Sequence, residues 1–545
     1  MGEKNTKPKD NYEHKRIARN SLYSFLSSFT LYAYAILSSA LLARMYSQQV
    51  WGYLIIATSF TSLVVLILSF SPPGLDLSLI YFLPKYKTQK LNNKLKSFAL
   101  KSFTINFIVV ITFFIVVLII ITVLSDVLSI NLGSYVYLLY LLSPIILIRG
   151  FNFYLNSFNL GFSKFKLNFI LNSIKFSFHI IALFLYFLFF QVYSIDTIVI
   201  IEIIAYLIPF LINFIIFVIT LLKIKPTKEE KLSYKETIKQ IVSYGSITST
   251  QSVLGQVWKE TEVQAVGAFE SAAVVTGFNT GNHYGDIPRL FSNSLKNPLM
   301  ISFTSLYSKG ELEKINKIVK IITIYSLFII LIVSGIVFLL TDFYLALVLG
   351  ETFLIYSDLI KLIIISIIFG IEFSILTLLL RSSDKVRFLP LTLVIYYAIR
   401  ISGFFIGLIF FGIVGAIIGL TIGNAISFVL SYLLIRKMFK ITTNLFKIIS
   451  LYISFAFSLI VAIVLGDLFF NSITFSLLES LNLSFFKYVP FFELLIFFFL
   501  DMGLIIIFKS LTKRDIEYVL SIFTKDKLTH KVIRKWLKTL KKIFR

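Results

Sequence analysis

The chain has 545 residues, 57% of them hydrophobic and only 15% charged, with a mean hydropathy of +0.87. A soluble fold of that length could not clothe so much apolar surface in polar groups, which excludes a globular soluble protein. The net charge of +24 raises nucleic acid as a partner, but the Lys and Arg fall between apolar runs, which argues against it; the absence of cysteine excludes disulfides and thiolate metal sites.

The first twenty residues, MGEKNTKPKDNYEHKRIARN, are polar and basic and carry no cleavable signal pattern. Beyond them, runs of about 20 apolar residues recur along the chain, the length a helix needs to cross a bilayer. Fourteen spans are predicted, at 20–43, 52–71, 100–124, 135–157, 167–190, 197–222, 241–266, 274–303, 318–341, 357–380, 388–411, 413–435, 447–466 and 490–509. The fold class is therefore an all-α integral membrane protein. The loops alternate in charge. KYKTQKLNNKLK (85–96), KFK (164–166), KIKPTKEEKLSYKETIK (223–239), KGELEKINKIVK (309–320), RSSDKVR (381–387), RKMFK (436–440) and both tails are basic. LSDVLSINLGS (124–134), QVYSID (191–196), TDFYLALVLGETFLIYSD (341–358) and the stretch from Asp467 to Pro490 are nearly free of Lys and Arg, Lys487 excepted. By the positive-inside bias both termini are expected in the cytoplasm, in a multi-pass protein of the cell membrane.

Set against itself at an offset of 225 residues, the chain places LLARMYSQQVWGYLIIATSF (41–60) over VGAFESAAVVTGFNTGNHYG (266–285), with Val50 on Val275, Gly52 on Gly277 and Tyr53 on Phe278. Further along, at an offset of 221, KFK falls on KVR (385–387) and His179 on Arg400. Two parallel repeats of six spans follow, related by a pseudo-two-fold axis. The predicted organisation is a basic tail over 1–19, a six-helix bundle over 20–222, a basic linker over 223–240, a second six-helix bundle over 241–440, an added hairpin over 441–509, and a basic amphipathic tail over 510–545.

ARMYSQQVWGY (43–53), ETEVQAVGAFESAAVVTGF (260–278) and GFSKFKLNFILNSIKF (161–176) are similar to segments of the polysaccharide, or lipid-linked oligosaccharide, flippases. That family sits in a superfamily with multidrug/cation antiporters and lipid II flippases. The resemblance implies two six-helix bundles forming a V around a central cavity, with the extra hairpin bordering a groove for a lipid tail. It also implies a cargo, a polyprenyl- or dolichyl-diphosphate glycan carried to the outer leaflet. Where family members often carry Asp followed by a cation in span seven, this chain reads KETE, so Glu262 departs from the pattern.

A charge at mid-bilayer costs roughly 2.5–3.5 kcal/mol on insertion scales, so it faces a cavity or a partner. Arg149, His179, Arg289, Glu372, Arg400 and Asp501 fall near mid-depth, Arg44, Lys259, Glu260 and Glu262 toward the outer side, and Lys296 toward the cytoplasm. Guanidinium groups suit a diphosphate because they stay charged and bind its oxygens in pairs. Arg289, Arg400, Arg149, Arg44 and Lys296 are accordingly the candidates for holding it. Asn152, Asn279, Asn282, His283 and Tyr284, with Asn156 and Asn159 close by, are candidates for the sugars. Glu262, Glu372, His179 and Asp286 are candidates for ion coupling. The structural alternatives are snorkelling for Arg44 and Lys296, ion pairs of Arg149 with Glu372 and of Arg400 with some carboxylate, a packing role for His179, and an anchor for the hairpin in Asp501.

SPPGLD (71–76), Pro288 and Pro298 supply helix breaks, and Gly403, Gly407, Gly412, Gly415, Gly419 and Gly423 suit close packing of spans eleven and twelve. TKDKLTHKVIRKWLKTLKKIFR (524–545) is predicted to be an amphipathic helix on anionic lipid. No GxxxxGK[ST] and no HExxH motif occurs, and four histidines leave little for a metal site. The expectation is a transporter rather than an enzyme, without a cofactor. A proton or sodium gradient, or the membrane potential, would supply any work, and the transporter would act as a monomer beside glycan-assembly proteins. The rivals are an organic-cation antiporter of the same superfamily, a membrane glycan polymerase or ligase, and a non-transporting scaffold.

Overall fold

A computed structural model of the chain describes residues 7–69, 74–162, 164–289, 299, 303, 307, 310–369, 371–441, 444–470 and 489–508. Every described regular element is a helix. Two compact units emerge: Met1–His283 with Arg387–Ile401 and Phe405–Ala416, and Tyr284–Val386 with Ser402–Phe404 and Ile417–Arg545.

The first unit holds α1 (Lys7–Met45), α2 (Gln48–Ser69), α3 (Leu75–Thr88), α4 (Asn92–Val123), α5 (Ser125–Leu132), α6 (Tyr137–Gly161), α7 (Phe165–Phe189), α8 (Ile195–Leu222), α9 (Tyr234–Phe269) and most of α10 (Ala272–Gly285). The second holds α11 (Leu312–Leu339), α12 (Ser357–Ile367), α13 (Ile371–Ser382), α15 (Leu445–Leu465) and α16 (Phe491–Ile507). The remaining element, α14, covers Leu389–Phe439 and is shared between them. Among the described residues eight helices are long and apolar enough to cross a membrane, the doubled α14 among them, and Phe29–Met45 and Phe373–Ser382 are shorter apolar helices. The chain is a multi-pass membrane protein.

Three predicted basic loops meet at one end of the first unit. Asn92 Nδ2 donates to the Lys225 carbonyl at 3.0 Å, and the Asn93 N–H to Thr227 Oγ1 at 3.1 Å and Glu229 Oε1 at 2.9 Å. Lys164 Nζ donates to Thr220 Oγ1 at 2.8 Å. Burial, and Lys87 and Lys223 nearby, hold the Lys164 ammonium below its ordinary range. The loops after α3, α6 and α8 therefore share one face, as their charge pattern requires. Beneath them, Leu79, Phe98, Tyr154, Phe158, Phe217 and Ile241 form a core from five helices. At the start of α9, Ser233 and Glu236 cap each other's backbone, and those hydrogen bonds hold the Glu236 carboxyl below its usual range.

Local departures from the predicted spans have identifiable causes. The predicted loop 85–96 is partly helical, because Gly74, at φ 72°, restarts the chain as α3. The tenth span is broken rather than continuous. α12 ends at Ile367 and α13 starts at Ile371, and neighbouring side chains satisfy the freed carbonyls: Asn424 Nδ2 donates to Ser366 O at 2.8 Å and Tyr452 Oη to Ile368 O at 3.0 Å. α10 leaves helical geometry at 286–288, next to Pro288. Residues 290–298 and the amphipathic tail from 524 lie outside the described residues.

α14 is two antiparallel helices around Gly412, at φ 65° and ψ −158°. Glu270 Oε1 accepts from the Ile413 N–H at 2.8 Å and so caps the reversal. A Cβ on Gly407 would lie 2.0 Å from the Gly415 carbonyl oxygen, and one on Gly419 2.0 Å from that of Gly403. The glycine stripe is thus there for backbone contact. Gly407→Leu or Gly419→Leu is expected to lower stability by about 1–3 kcal/mol or more, since backbone must move apart. Gly503→Ala, where a Cβ meets nothing within 4 Å, is expected to leave the unfolding temperature of the detergent-solubilised protein unchanged.

Candidate functional site

Three helices of the first unit each carry a polar stripe at helical spacing. α6 presents Arg149, Asn152, Asn156 and Asn159; α7 presents Asn168, Asn172, Lys175 and His179; α8 presents Glu202, Tyr206 and Asn213. Steps of three and four keep each set on one helix face. α6 packs on α8 and α2, and α7 on α8 and α1, so the stripes converge.

They enclose a cavity of about 250 Å³ lined by Arg149, Asn152, Asn156, Asn172, Lys175 and Tyr206, with Phe153, Leu171, Pro209, Val65 and Leu66 as its apolar wall. That is slightly below the usual range of roughly 300–1,000 Å³ for ligand pockets. Arg149 Nη1 donates to Ser62 Oγ at 2.8 Å, and its guanidinium lies 5.5 Å from the Tyr206 ring centre. Lys175 Nζ sits over the same ring at 3.9 Å and over Phe176 at 4.5 Å. Glu202, one turn from Tyr206, interacts electrostatically with both cations. Glu260 of α9 also interacts electrostatically with Arg149, so two carboxylates stand near the two cations that line the cavity.

Below it, the amides hold one another. Asn159 Nδ2 donates to Asn213 Oδ1 at 2.7 Å, and Asn213 Nδ2 donates to Asn156 Oδ1 at 3.1 Å and to Asn152 Oδ1 at 3.4 Å. Asn213 is 1% exposed and Asn159 fully buried, so this network fixes the helices, while Asn152 and Asn156 still reach the cavity wall. Buried His179 shares a hydrogen bond of 2.8 Å between Nδ1 and Tyr34 Oη, which supports its packing role.

Of the residues predicted from sequence, Arg149, Asn152 and Asn156 line this cavity. Lys175, Asn172, Glu202 and Tyr206 went unpredicted. Lys175 and Glu202 are lone charges in apolar runs as Arg149 is, and the helix faces they share with Asn172 and Tyr206 are the signal that joins the four. Arg400 is paired with Glu262 at 3.5 Å and donates to Tyr396 Oη at 3.3 Å, so the carboxylate left unidentified by the sequence is Glu262. A candidate for the diphosphate and a candidate for ion coupling thus engage each other. Arg289 pairs with Asp286 at 2.9 Å in the turn that ends α10. Arg44 is exposed at the end of α1 and donates to the Ala40 carbonyl at 3.0 Å, as a snorkelling side chain does. Tyr284 is buried, donates to the Val337 carbonyl at 3.1 Å and stacks on Tyr344 at 4.0 Å, so it packs rather than lines a path. Asn279, Asn282 and His283 are half-buried on α10. Lys296 and the Glu372 side chain, and with the latter its pairing to Arg149, lie outside the described residues.

Residues 17–302 match the model of the polysaccharide biosynthesis protein family. The chain belongs to that family. The matched stretch contains every residue of the cavity wall. No curated protein sequence matches this family member. Among solved structures, an inward-facing multidrug resistance MATE family transporter of the MOP superfamily is 13% identical with a TM-score of 0.61, covering 75% of this chain and 94% of that one. A MATE protein in its straight conformation is 12% identical with a TM-score of 0.57, covering 78% and 96%. A MOP superfamily transporter from Pyrococcus furiosus, described as having a binding pocket of reverse polarity, is 14% identical with a TM-score of 0.54, covering 78% and 96%. Identities this low establish the fold, which is that of MATE transporters.

The Arg400–Glu262 pair is largely buried, with side chains 15% and 7% exposed. Arg400→Ala in this family member is expected to cost on the order of 3 kcal/mol, because it strands the carboxylate. Adding Glu262→Gln is expected to restore most of that loss in a double-mutant cycle of thermal unfolding, as a structural ion pair requires.

Proposed function

We propose that this protein is a flippase that carries a lipid-linked oligosaccharide, with a polyprenyl or dolichyl diphosphate, from the cytoplasmic to the outer leaflet by alternating access. The observation that carries the reading is the pair of cations in the wall of the cavity of the first unit. Arg149 and Lys175 stand on neighbouring helices and both approach the Tyr206 ring, and amide side chains border them. A diphosphate is held by charge-assisted hydrogen bonds from such groups, and sugars by amides and aromatic rings. A volume near 250 Å³ suits the headgroup and its first sugar rather than a whole glycan, which leaves the lipid tail in the bilayer. Membership of the polysaccharide biosynthesis family supports the same cargo class. The proposal includes cytoplasmic termini in the cell membrane, two six-helix halves, and work drawn from an ion gradient or the membrane potential. It also includes the basic tail held on anionic lipid beside glycan-assembly proteins.

A second reading, export of organic cations, is favoured by the MATE fold and by Glu202 within the cavity's charge field. The lining favours the glycan: Arg149 and Lys175 form part of the cavity wall, whereas Glu202 and Glu260 act on it from behind.

Leaflet-resolved transport of a fluorescent polyprenyl-diphosphate glycan in proteoliposomes tests the proposal. Arg149→Ala and Lys175→Ala are each expected to slow flipping on the order of tenfold, as loss of one charge-assisted contact predicts. Arg44→Ala, whose side chain bonds within its own helix, is expected to flip at the wild-type rate. A wild type inert toward every diphosphate glycan but active in exporting organic cations would overturn the reading in favour of the antiporter.

A further inference from the structure

The second unit buries a group of oxygen atoms that the proposed cargo path does not use. α16 turns one stripe inward, Glu493, Phe497, Asp501 and Ile505, four residues apart and so on one face. Phe497 locates that face. Its ring occupies the space left by Gly335 of α11, where a Cβ would lie 2.1 Å away, and it packs edge-on against Phe455 of α15 at 6.0 Å. One turn further along α16, Asp501 is 1% exposed, and its Oδ1 has no hydrogen-bond partner among the described residues.

The facing helices bring hydroxyls in the same condition. Ser454 and Ser458 of α15 and Ser334 of α11 are fully buried, and none of the three Oγ atoms has a partner among the described residues. Other hydroxyls of this unit answer burial by donating to the carbonyl four residues back, as Thr323, Ser382, Thr421 and Ser427 do. Register places the unanswered ones together. Glu493 meets Gly466, and Phe497 meets Phe455, so α15 and α16 run antiparallel and Asp501 lies level with the stretch 451–458, which holds Ser454 and Ser458. Ser334 adjoins the glycine that Phe497 fills.

We propose that Asp501, Ser334, Ser454 and Ser458 form a binding site for an alkali cation of sodium size, independent of the cargo cavity. Hard cations take oxygen ligands, and a carboxylate with hydroxyls is such a set. One carboxylate neutralises one positive charge, which suits a monovalent ion; a divalent ion would leave a net charge buried in an apolar bundle. A proton satisfies a single oxygen, whereas four oxygens here await a partner. Glu493, two turns along the same stripe and in electrostatic contact with Asp467, gives the stripe an acidic mouth about 12 Å from Asp501 at 1.5 Å per residue.

Thermal unfolding of the purified full-length protein tests this, in NaCl, KCl or choline chloride at constant ionic strength and pH. The wild type is expected to gain stability saturably with sodium over choline. Asp501→Asn is expected to abolish the sodium response while unfolding no earlier than wild type in choline, since it removes an uncountered carboxylate. Ser454→Ala and Ser458→Ala are expected to weaken the apparent sodium affinity about tenfold, the loss of one ligand. The assignment is overturned by a wild type indifferent to sodium, by a sodium response intact in Asp501→Asn, or by serine variants that all keep wild-type affinity. Stabilisation that follows pH alone, without sodium, would overturn it in favour of a protonated carboxyl.

Discussion

A polar atom inside a lipid-embedded helix bundle has no water to turn to, and this constraint organises the whole chain. Many polar groups of the described residues meet another within the bundle or face a cavity, because an unsatisfied one in hydrocarbon costs several kcal/mol. The first unit shows both outcomes on the same three helices. Asn159 and Asn213 lie at the sealed end of the stripes and bond to each other. Arg149, Lys175 and Tyr206 lie where the helices part and leave space beside them. A single pattern of polar residues thus serves as glue at one level and as a site at the next.

The same constraint explains where the backbone departs from regular helix. The break between α12 and α13 frees carbonyls, and Asn424 and Tyr452 have side chains long enough to answer them. The reversal at Gly412 frees amides, and Glu270 answers from just past the end of α9. Nothing bulky separates the two arms of α14, because glycine meets carbonyl at successive turns. Irregularity is tolerated within the membrane wherever a neighbour supplies the missing bond.

Particular residues mark how far the sequence could be read. Gly403, Gly407, Gly415 and Gly419 announced backbone packing by their spacing, and the structure has that packing. Arg149 was legible as a site residue because a lone charge in an apolar run stands out. Lys175 and Glu202 were equally legible by that criterion, yet their meaning came from Asn172 and Tyr206 on the same faces, visible only once rotation about each helix axis was known. Arg400 and Glu262 could not be matched from sequence, because they lie in helices far apart along the chain and many carboxylates were available.

The sequence by itself determined the class of the protein, about fourteen spans, the alternation of loops rich and poor in Lys and Arg, and its kinship. These follow from hydropathy and charge, which are local and which bilayer thickness converts directly into helices. Tertiary structure decided which polar groups meet: that Arg400 takes up Glu262, that Tyr284 packs on Tyr344, and that Arg149 and Lys175 share a cavity. Hydropathy fixes the depth of a side chain in the bilayer but not its azimuth. Azimuth, set by the packing of neighbouring helices, separates a site from a strut.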